Sequence, residues 1–405
     1  MSTKELLITD KLQGVLAHLK ELFVGKDEIV DLMGICLVGG ENLFLLGPPG
    51  TAKSATVREL SRLLDGQTFE YLLTRFTEPN ELFGPFDIRK LREGDLVTNT
   101  AGMLPEASLI FLDELLNANS AILNSLLMVL NEKIFRRGRE TRKLPALMVI
   151  GASNHLPEDE ALQALYDRFL LRVRCDNVDP QQLNEVLHAG WNLEKHADKE
   201  KPQISTEQVR ELQKMTSLVD LEAIRPAYIE LVHQLRNAGL QVSDRRAVKL
   251  QRVIAASAVI CKREQAILSD LWVLRNIWDT EEQREIITDM VNAVIAEEDQ
   301  LPGQHPRAGL HSEPDAEEIY KEVEHLASQW DEPETSMADR SLVKDRLMHL
   351  NSRCEWISNA EQRKYVQEPI DVLWKTLVLI FSCCCPRPSW CGVGTKKNEP
   401  WRQIN

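Results

Sequence analysis

Short uninterrupted apolar runs predict four buried strands in the first 190 residues of the chain. They occupy residues 42–46, 109–112, 146–150 and 170–173, and turn residues or carboxylates follow the first three. Runs of this length are typical of parallel strands that are covered on both faces. Helical periodicity lies between them, and the alternation predicts an α/β domain with a mostly parallel sheet.

The rest of the chain is predicted to be helical, because from residue 205 onward apolar positions recur at helical spacing and nothing after about residue 190 resembles a strand. We therefore expect an all-α domain after the α/β domain. Acidic residues, prolines and glycines then favour a solvated linker, although a loosely connected helix pair fits the same segment. The predicted boundaries are 1–190 for the α/β domain, 191–280 for the all-α domain, 281–335 for the acidic linker, 336–380 for a helical extension and 381–405 for a disordered tail.

Composition narrows the classes of function. The chain has 405 residues, enough for two or three domains at about 150 residues each. Its 48 basic and 62 acidic residues give a net charge of −14, which disfavours non-specific binding to nucleic acid or to an anionic membrane. The sequence shows neither a membrane-spanning run nor a leader, so a cytoplasmic location is expected. The cysteines of the tail lack the paired spacing of a zinc site.

A glycine-rich loop follows the first predicted strand and precedes a helix, the context that a phosphate-binding loop requires. Its residues are Gly47, Pro48, Pro49, Gly50, Thr51, Ala52, Lys53 and Ser54. Backbone amides and the helix dipole would cradle phosphates, Lys53 would pair with them, and the Ser54 hydroxyl would take a Mg²⁺ ligand position. Ala52 stands where a second glycine is usual. The alternative is a plain strand-to-helix turn with a solvated lysine.

Polar residues also end the next two strands. Asp113 and Glu114 close the second predicted strand, so parallel strands would bring both carboxylates beside the phosphate loop. Asp113 is a candidate Mg²⁺ ligand, and Glu114 is the candidate base for an attacking water. Asn154 ends the third strand and offers an uncharged amide. The alternatives are an acidic helix cap and a turn asparagine.

Together with residues 164–169 and 242–246, these motifs occur in the order found in AAA+ ATPases. The set resembles the MoxR branch of that family, and within it the RavA-type ATPases. The resemblance covers residues 10 to 280 and includes the unusual Ala52. It implies an α/β AAA+ P-loop NTPase core followed by an all-α lid.

The resemblance also implies a role for each motif residue. Lys53 and Ser54 resemble the Walker A pair, Asp113 and Glu114 the Walker B pair, and Asn154 sensor 1. Arg168 resembles the arginine finger that reaches the phosphates of a neighbouring subunit, with a surface ion pair as its alternative. Arg245 resembles sensor 2 on the lid, and its neighbour Arg246 is the rival for that role.

These roles predict an enzyme that uses ATP and Mg²⁺. Family resemblance further implies a homo-oligomeric ring, expected to be a hexamer, that remodels protein complexes with a von Willebrand factor A-domain partner. Two other functions stay open from the sequence. One is a nucleotide-gated scaffold that hydrolyses ATP slowly, and the other is a nucleic-acid motor, which the acidic charge disfavours.

Overall fold

The protein is described by a computed structural model that covers most of the chain. The described residues are 1–93, 96–137, 140–157, 159–178, 182–195, 202–296, 303–309, 316–331, 346–347, 350–351, 354 and 360–383. The chain divides into two compact units, residues 1–310 and 311–405. Every predicted site residue lies in the first unit.

The first unit is built on a parallel sheet of five strands. The strands of the chain are β1 (Leu43–Leu46), β2 (Leu64–Asp65), β3 (Thr68–Leu72), β4 (Leu109–Asp113), β5 (Ile134–Arg137), β6 (Glu140–Lys143), β7 (Met148–Ser153), β8 (Leu171–Arg174) and β9 (Ile204–Ser205). The five-stranded sheet has the order β3-β4-β7-β1-β8, and all of its pairings are parallel. The short strands β2 and β9 pair in parallel, whereas β5 and β6 form an antiparallel hairpin. The predicted α/β fold with a parallel sheet is confirmed.

Most of the other described residues are helical. The helices are α1 (Thr3–Leu22), α2 (Asp27–Gly39), α3 (Lys53–Leu63), α4 (Pro79–Phe83), α5 (Ile88–Arg92), α6 (Ser120–Glu132), α7 (Glu160–Tyr166), α8 (Leu183–Lys195), α9 (Thr206–Thr216), α10 (Arg225–Asn237), α11 (Asp244–Ile260), α12 (Glu281–Ile295), α13 (Ala316–Asp331) and α14 (Ala360–Cys383). Shorter 3₁₀ segments lie at Leu104–Glu106, Leu115–Asn117, Leu268–Asn276 and Pro306–Ala308.

The central strands are buried because helices cover both faces of the sheet. All four residues of β1 and all six of β7 are buried, which is why the sequence shows continuous apolar runs there. The edge strand β3 is half-exposed and alternates between buried and exposed positions. The sequence did not predict it, because it has no continuous apolar run.

Two expectations for the C-terminal part are wrong. The predicted acidic linker at 281–335 contains α12, which belongs to the first unit, and α13, which belongs to the second, so the described residues of this segment are largely helical. Helix α12 forms because Ile287, Val291 and Ile295 bury one face at four-residue spacing while acidic residues occupy its first turn. The two-residue strand β9 also lies after residue 190, and a pair that short has no periodicity to detect.

The second unit has a hydrophobic core of its own. Helices α13 and α14 contribute most of it, with buried apolar residues at Ile319, Val323, Leu326, Trp330, Val366, Ile370 and Leu373. Helix α14 lies partly within the predicted helical extension and continues to Cys383. The predicted tail beyond Cys383 lies outside the described residues. In the described part of the chain, none of the helices combines the length and the apolar character needed to cross a membrane.

Candidate nucleotide-binding site

The predicted phosphate loop joins the C-terminal end of β1 to the first turn of α3. Two of its residues have left-handed backbone conformations, Gly50 with φ of 85° and Ala52 with φ of 63°. Gly47 is held against β8, and a Cβ atom at this position would lie 2.2 Å from the Cys175 carbonyl oxygen. The loop therefore requires glycine at its first position. The first amides of α3 have no partner within the helix, which suits them to bind an anion.

The Lys53 ammonium group is folded back over this loop. Its Nζ donates to the carbonyl oxygens of Gly47 at 2.6 Å and Pro48 at 2.9 Å, and to Asn154 Oδ1 at 3.2 Å. The side chain is buried, with 7% of its surface exposed. A solvated lysine, the alternative that the sequence left open, is therefore excluded. The structure instead places a positive charge inside the loop that would receive the phosphates.

Ser54 and Asp113 are brought together as predicted. The Ser54 hydroxyl donates to Asp113 Oδ2 at 2.9 Å, and the backbone amide of Glu114 donates to Asp113 Oδ1 at 3.0 Å. Both carboxylate oxygens are thus oriented by donors from two neighbouring elements. A hydroxyl and a carboxylate oxygen at this separation are the type of ligand that Mg²⁺ prefers, so the residues present fit that ion.

Glu114 and Asn154 complete a continuous chain of polar contacts. Asn154 Nδ2 donates to Glu114 Oε1 at 2.5 Å, while Asn154 Oδ1 accepts from Lys53. Glu114 also has a left-handed backbone with φ of 50°, which costs a non-glycine residue free energy and is typical of functional positions. The ends of β1, β4 and β7 therefore contribute to one site.

A further lysine, which the sequence did not predict, lies near Lys53. Lys26, just before α2, is buried and donates to the carbonyl oxygen of Asp176. Burial lowers the pKa of Lys26, and the nearby charge of Lys53 lowers it further. Burial also raises the pKa of the adjacent Cys175 thiol to about 12, so this thiol is protonated and unreactive. No spacing pattern in the sequence indicated Lys26, because its hydrogen-bond partner, Asp176, lies far along the chain, just after β8.

Arg168 lies at the opposite edge of the sheet from the phosphate loop. It precedes β8, which pairs in parallel with β1 so that Leu171 is opposite Leu43. Its carbonyl oxygen accepts a hydrogen bond from Asn42 Nδ2 at 3.1 Å, before the start of β1. At 3.3 Å per strand residue, the Asn42 end of β1 lies roughly 15 Å from the loop that follows its other end.

Arg245 lies at the same edge as Arg168. Its guanidinium donates to Asn131 Oδ1 at 3.2 Å, and the preceding carbonyl, that of Leu130, accepts from Asn42 Nδ2 at 3.1 Å. Arg168 and Arg245 line one cleft of about 690 Å³, and no residue of the phosphate loop lines it. We call this the basic cleft; its charged residues are Asp167, Arg168, Arg236, Arg245, Arg246, Lys249 and Asp279.

The two rivals for the sensor 2 role differ in their surroundings. Arg245 is exposed, and Asn131 is its hydrogen-bond partner. Arg246 is largely buried and makes an ion pair with Asp279, with Nη1 at 3.0 Å from Oδ1 and 3.2 Å from Oδ2. Burial and the nearby Arg172 lower the pKa of Arg246, and Asp279 opposes that shift. The geometry leaves Arg245 the freer of the two guanidinium groups.

A parallel sheet that carries a glycine-rich loop, with carboxylates on the next strand and a helical lid, defines the chain as an α/β protein of the AAA+ fold. Residues 10–214 match the family described as the MoxR domain in the MoxR-vWA-beta-propeller ternary systems, and residues 221–291 match an AAA lid domain. The chain therefore belongs to the MoxR branch of the AAA+ ATPases, a family whose members bind nucleotide. The more specific likeness to RavA-type ATPases stays a prediction.

Individual relatives agree with this assignment. An uncharacterized protein of Methanocaldococcus jannaschii is 37% identical over 281 residues, which cover 67% of this chain and 71% of the relative. The chaperone MoxR1 of Mycobacterium tuberculosis is 25% identical over 181 residues, or 44% of this chain and 47% of that protein. The crystal structure of a candidate ATPase from Cytophaga hutchinsonii has a similar fold, with a TM-score of 0.59 and 21% identity over 73% of this chain and 96% of that one.

Proposed function

We propose that this protein binds ATP with Mg²⁺ and hydrolyses it to ADP and phosphate. The observation that carries the proposal is the unbroken set of contacts from Lys53 through Asn154 to Glu114. The side-chain amide of Asn154 thus contacts both the Lys53 ammonium group, which would bind the phosphates, and the Glu114 carboxylate, which would activate the attacking water. Membership of an ATPase family supports the same reaction.

Each residue has a distinct role in the proposed reaction. Lys53 would exchange the carbonyl oxygens of its own loop for phosphate oxygens, because an ammonium group favours the anionic acceptor. Ser54 and Asp113 would hold Mg²⁺, which neutralises charge on the phosphates. Glu114 would accept a proton from the attacking water, and Asn154 would orient that carboxylate through its 2.5 Å hydrogen bond.

The separation of the two sites indicates how subunits would cooperate. Arg168 and Arg245 lie at the far edge of the sheet from their own phosphate loop, so neither can serve the nucleotide that this loop binds. Both can serve a nucleotide on a neighbouring subunit whose loop faces the basic cleft. We therefore propose a homo-oligomeric ring, six-membered by analogy with the branch, in which each basic cleft completes the site of the next subunit.

The ring would remodel protein complexes in the cytoplasm together with a von Willebrand factor A-domain partner. The matched family takes its name from a system with such a partner, and one relative is named a chaperone. Nucleic acid is a less suitable client because two basic side chains of the β5–β6 hairpin, those of Arg137 and Arg142, are already engaged within the chain. Arg137 stacks 4.1 Å from the ring centre of Phe86 and donates to the Gly84 carbonyl oxygen at 2.7 Å.

The proposal is tested by multiple-turnover phosphate release from the wild-type chain and from two single variants. Lys53→Ala should lose ATP binding, whereas Arg168→Ala should bind ATP and hydrolyse it slowly. An equimolar mixture should regain activity, because Arg168→Ala subunits keep an intact loop and Lys53→Ala subunits keep an intact cleft. A wild-type protein that releases no more than one phosphate per subunit would instead support a nucleotide-gated scaffold.

A further inference from the structure

A buried cluster of charges joins the lid to the sheet beside the basic cleft. It consists of Arg172 on β8, Arg246 on α11 and Asp279 just before α12, and we call it the arginine clamp. Arg172 Nη1 lies 2.5 Å from Asp279 Oδ1, the same oxygen that lies 3.0 Å from Arg246 Nη1. The Arg172 side chain is fully buried, and 14% of the Asp279 side chain is exposed. One carboxylate thus binds two guanidinium groups from separate elements.

The arginine clamp is also attached to the segment that leads to Asp279. Arg172 Nη1 also donates to the carbonyl oxygens of Ile277 at 3.1 Å and Trp278 at 2.8 Å, and Arg246 Nη2 donates to Ile277 as well. The Arg172 guanidinium stacks 4.2 Å from the ring centre of Tyr166. Such a cluster is stable only while it is complete, because removal of one partner leaves a buried charge without compensation.

The arginine clamp is attached to the chain next to both arginines that we assign to the neighbouring subunit. Arg246 directly follows Arg245 in α11, so its attachment to Asp279 fixes the first turn of that helix. Arg172 donates to the carbonyl oxygen of Tyr166 at 3.4 Å and lies 3.9 Å from Asp167, the residue before Arg168. The position of each arginine therefore depends on the same carboxylate.

We propose that Asp279 is a positioning residue, which through Arg172 and Arg246 holds Arg168 and Arg245 in the geometry that completes the nucleotide site of the neighbouring subunit. This inference rests on the proposed function. Both carboxylate oxygens of Asp279 accept hydrogen bonds from guanidinium groups, and the residue lies at the edge of the sheet opposite the phosphate loop of its own chain. Its loss should consequently damage what a subunit offers to its neighbour and spare the nucleotide site of its own chain.

The test uses Asp279→Asn in the full-length chain. The variant should bind ATP with wild-type affinity and hydrolyse it up to about a hundredfold more slowly, the scale of a displacement of about 1 Å in catalytic groups. Mixing it with Lys53→Ala should restore phosphate release, because that partner supplies an intact cleft. Mixing it with Arg168→Ala should restore none, because both variants then lack a working cleft. A defect that also damaged the variant's own nucleotide site would not produce this one-sided pattern.

Asp270→Asn is the matched control. Asp270 is also a buried lid carboxylate, held by Ser257 at 2.7 Å and by Arg263 at 2.6 Å, but it does not line the basic cleft. Its loss should lower the melting temperature and leave phosphate release within a few-fold of wild type below that temperature. The same one-sided complementation in this control would overturn the proposal, since general loosening of the lid would then explain it.

The remaining outcomes distinguish a failure of the positioning role of Asp279 from a failure of the proposed function. The positioning role would be overturned if Asp279→Asn hydrolysed ATP at the wild-type rate, or if mixing it with Arg168→Ala restored activity. It would also be overturned if neither partner restored activity to an Asp279→Asn protein that melts and binds ATP normally. If the reference mixture of Lys53→Ala and Arg168→Ala stays inactive, the proposed function fails as well. If Asp279→Asn does not fold, the same mixtures with Arg246→Lys decide, because lysine keeps the charge but cannot reproduce the two-oxygen contact.

Discussion

Glu114→Gln is the substitution that most cleanly separates nucleotide binding from hydrolysis. Glutamine has nearly the same shape and keeps a carbonyl oxygen that can accept the hydrogen bond from Asn154, which is 2.5 Å long in the wild-type protein. The contacts of Lys53 and Ser54 do not include Glu114, so ATP affinity should change by no more than a few-fold. The amide is far less basic than a carboxylate, so it cannot accept the proton of the attacking water.

Loss of a general base slows a reaction by about 10² to 10⁴-fold, equivalent to roughly 3–5 kcal/mol in the barrier. The assay is steady-state phosphate release at saturating ATP, with ATP affinity measured in parallel by a fluorescent analogue. Glu106→Gln is the matched control, because Glu106 is also partly buried and accepts hydrogen bonds from Thr100 and Arg142 away from the loop. Turnover by Glu114→Gln within threefold of wild type would refute the assignment of the base.

Three further predictions follow from individual contacts. Gly47→Ala should abolish ATP binding while the chain stays folded, because the new Cβ would meet the Cys175 carbonyl oxygen at 2.2 Å; a binding titration checks this. Burial lowers the pKa of His305 from 6.5 to about 4, and its Nδ1 accepts from the Arg307 amide, so folding favours the neutral ring. The stabilisation from the neutral His305 ring should therefore be fully present above pH 6.5, and the free energy of unfolding should fall by up to about 3 kcal/mol as the pH approaches 4. Urea unfolding at several pH values should show a smaller loss in His305→Phe. A chain of residues 1–310 should keep ATP binding and hydrolysis within about twofold, because every assigned residue lies in that unit; loss of the activity on truncation would contradict this.

The parts of the fold that sequence could predict are those with a local physical signature. Strands β1, β4 and β7 are buried on both faces and therefore appear as continuous apolar runs. Strand β3 lies at an edge and has no such run, and α12 lies in a segment whose acidic residues and later prolines suggested a linker. Composition describes solvation, whereas the four-residue spacing of a few apolar side chains decides whether a helix forms.

Some residues of the candidate site could likewise be predicted from local sequence, and others could not. Lys53 and Ser54 follow β1 across the phosphate loop, and Asp113 and Glu114 lie at the end of β4. The parallel order of these strands therefore predicts that the four side chains meet. Arg168 and Arg245 were assigned only through family resemblance, since nothing local distinguishes them from other surface arginines.

The arginine clamp had no sequence signature. Arg172 lies 107 residues and Arg246 lies 33 residues before Asp279 in the chain, and only the folded structure shows that one carboxylate binds both arginines.

The central claim is that the nucleotide site of one subunit is completed by the basic cleft of another. Turnover per subunit, measured as phosphate release at saturating ATP while protein concentration is raised, tests it most directly, with light scattering on the same samples. We predict that turnover per subunit rises with concentration in parallel with assembly and then reaches a plateau. Constant turnover per subunit in a protein that scatters as a monomer throughout would contradict the account.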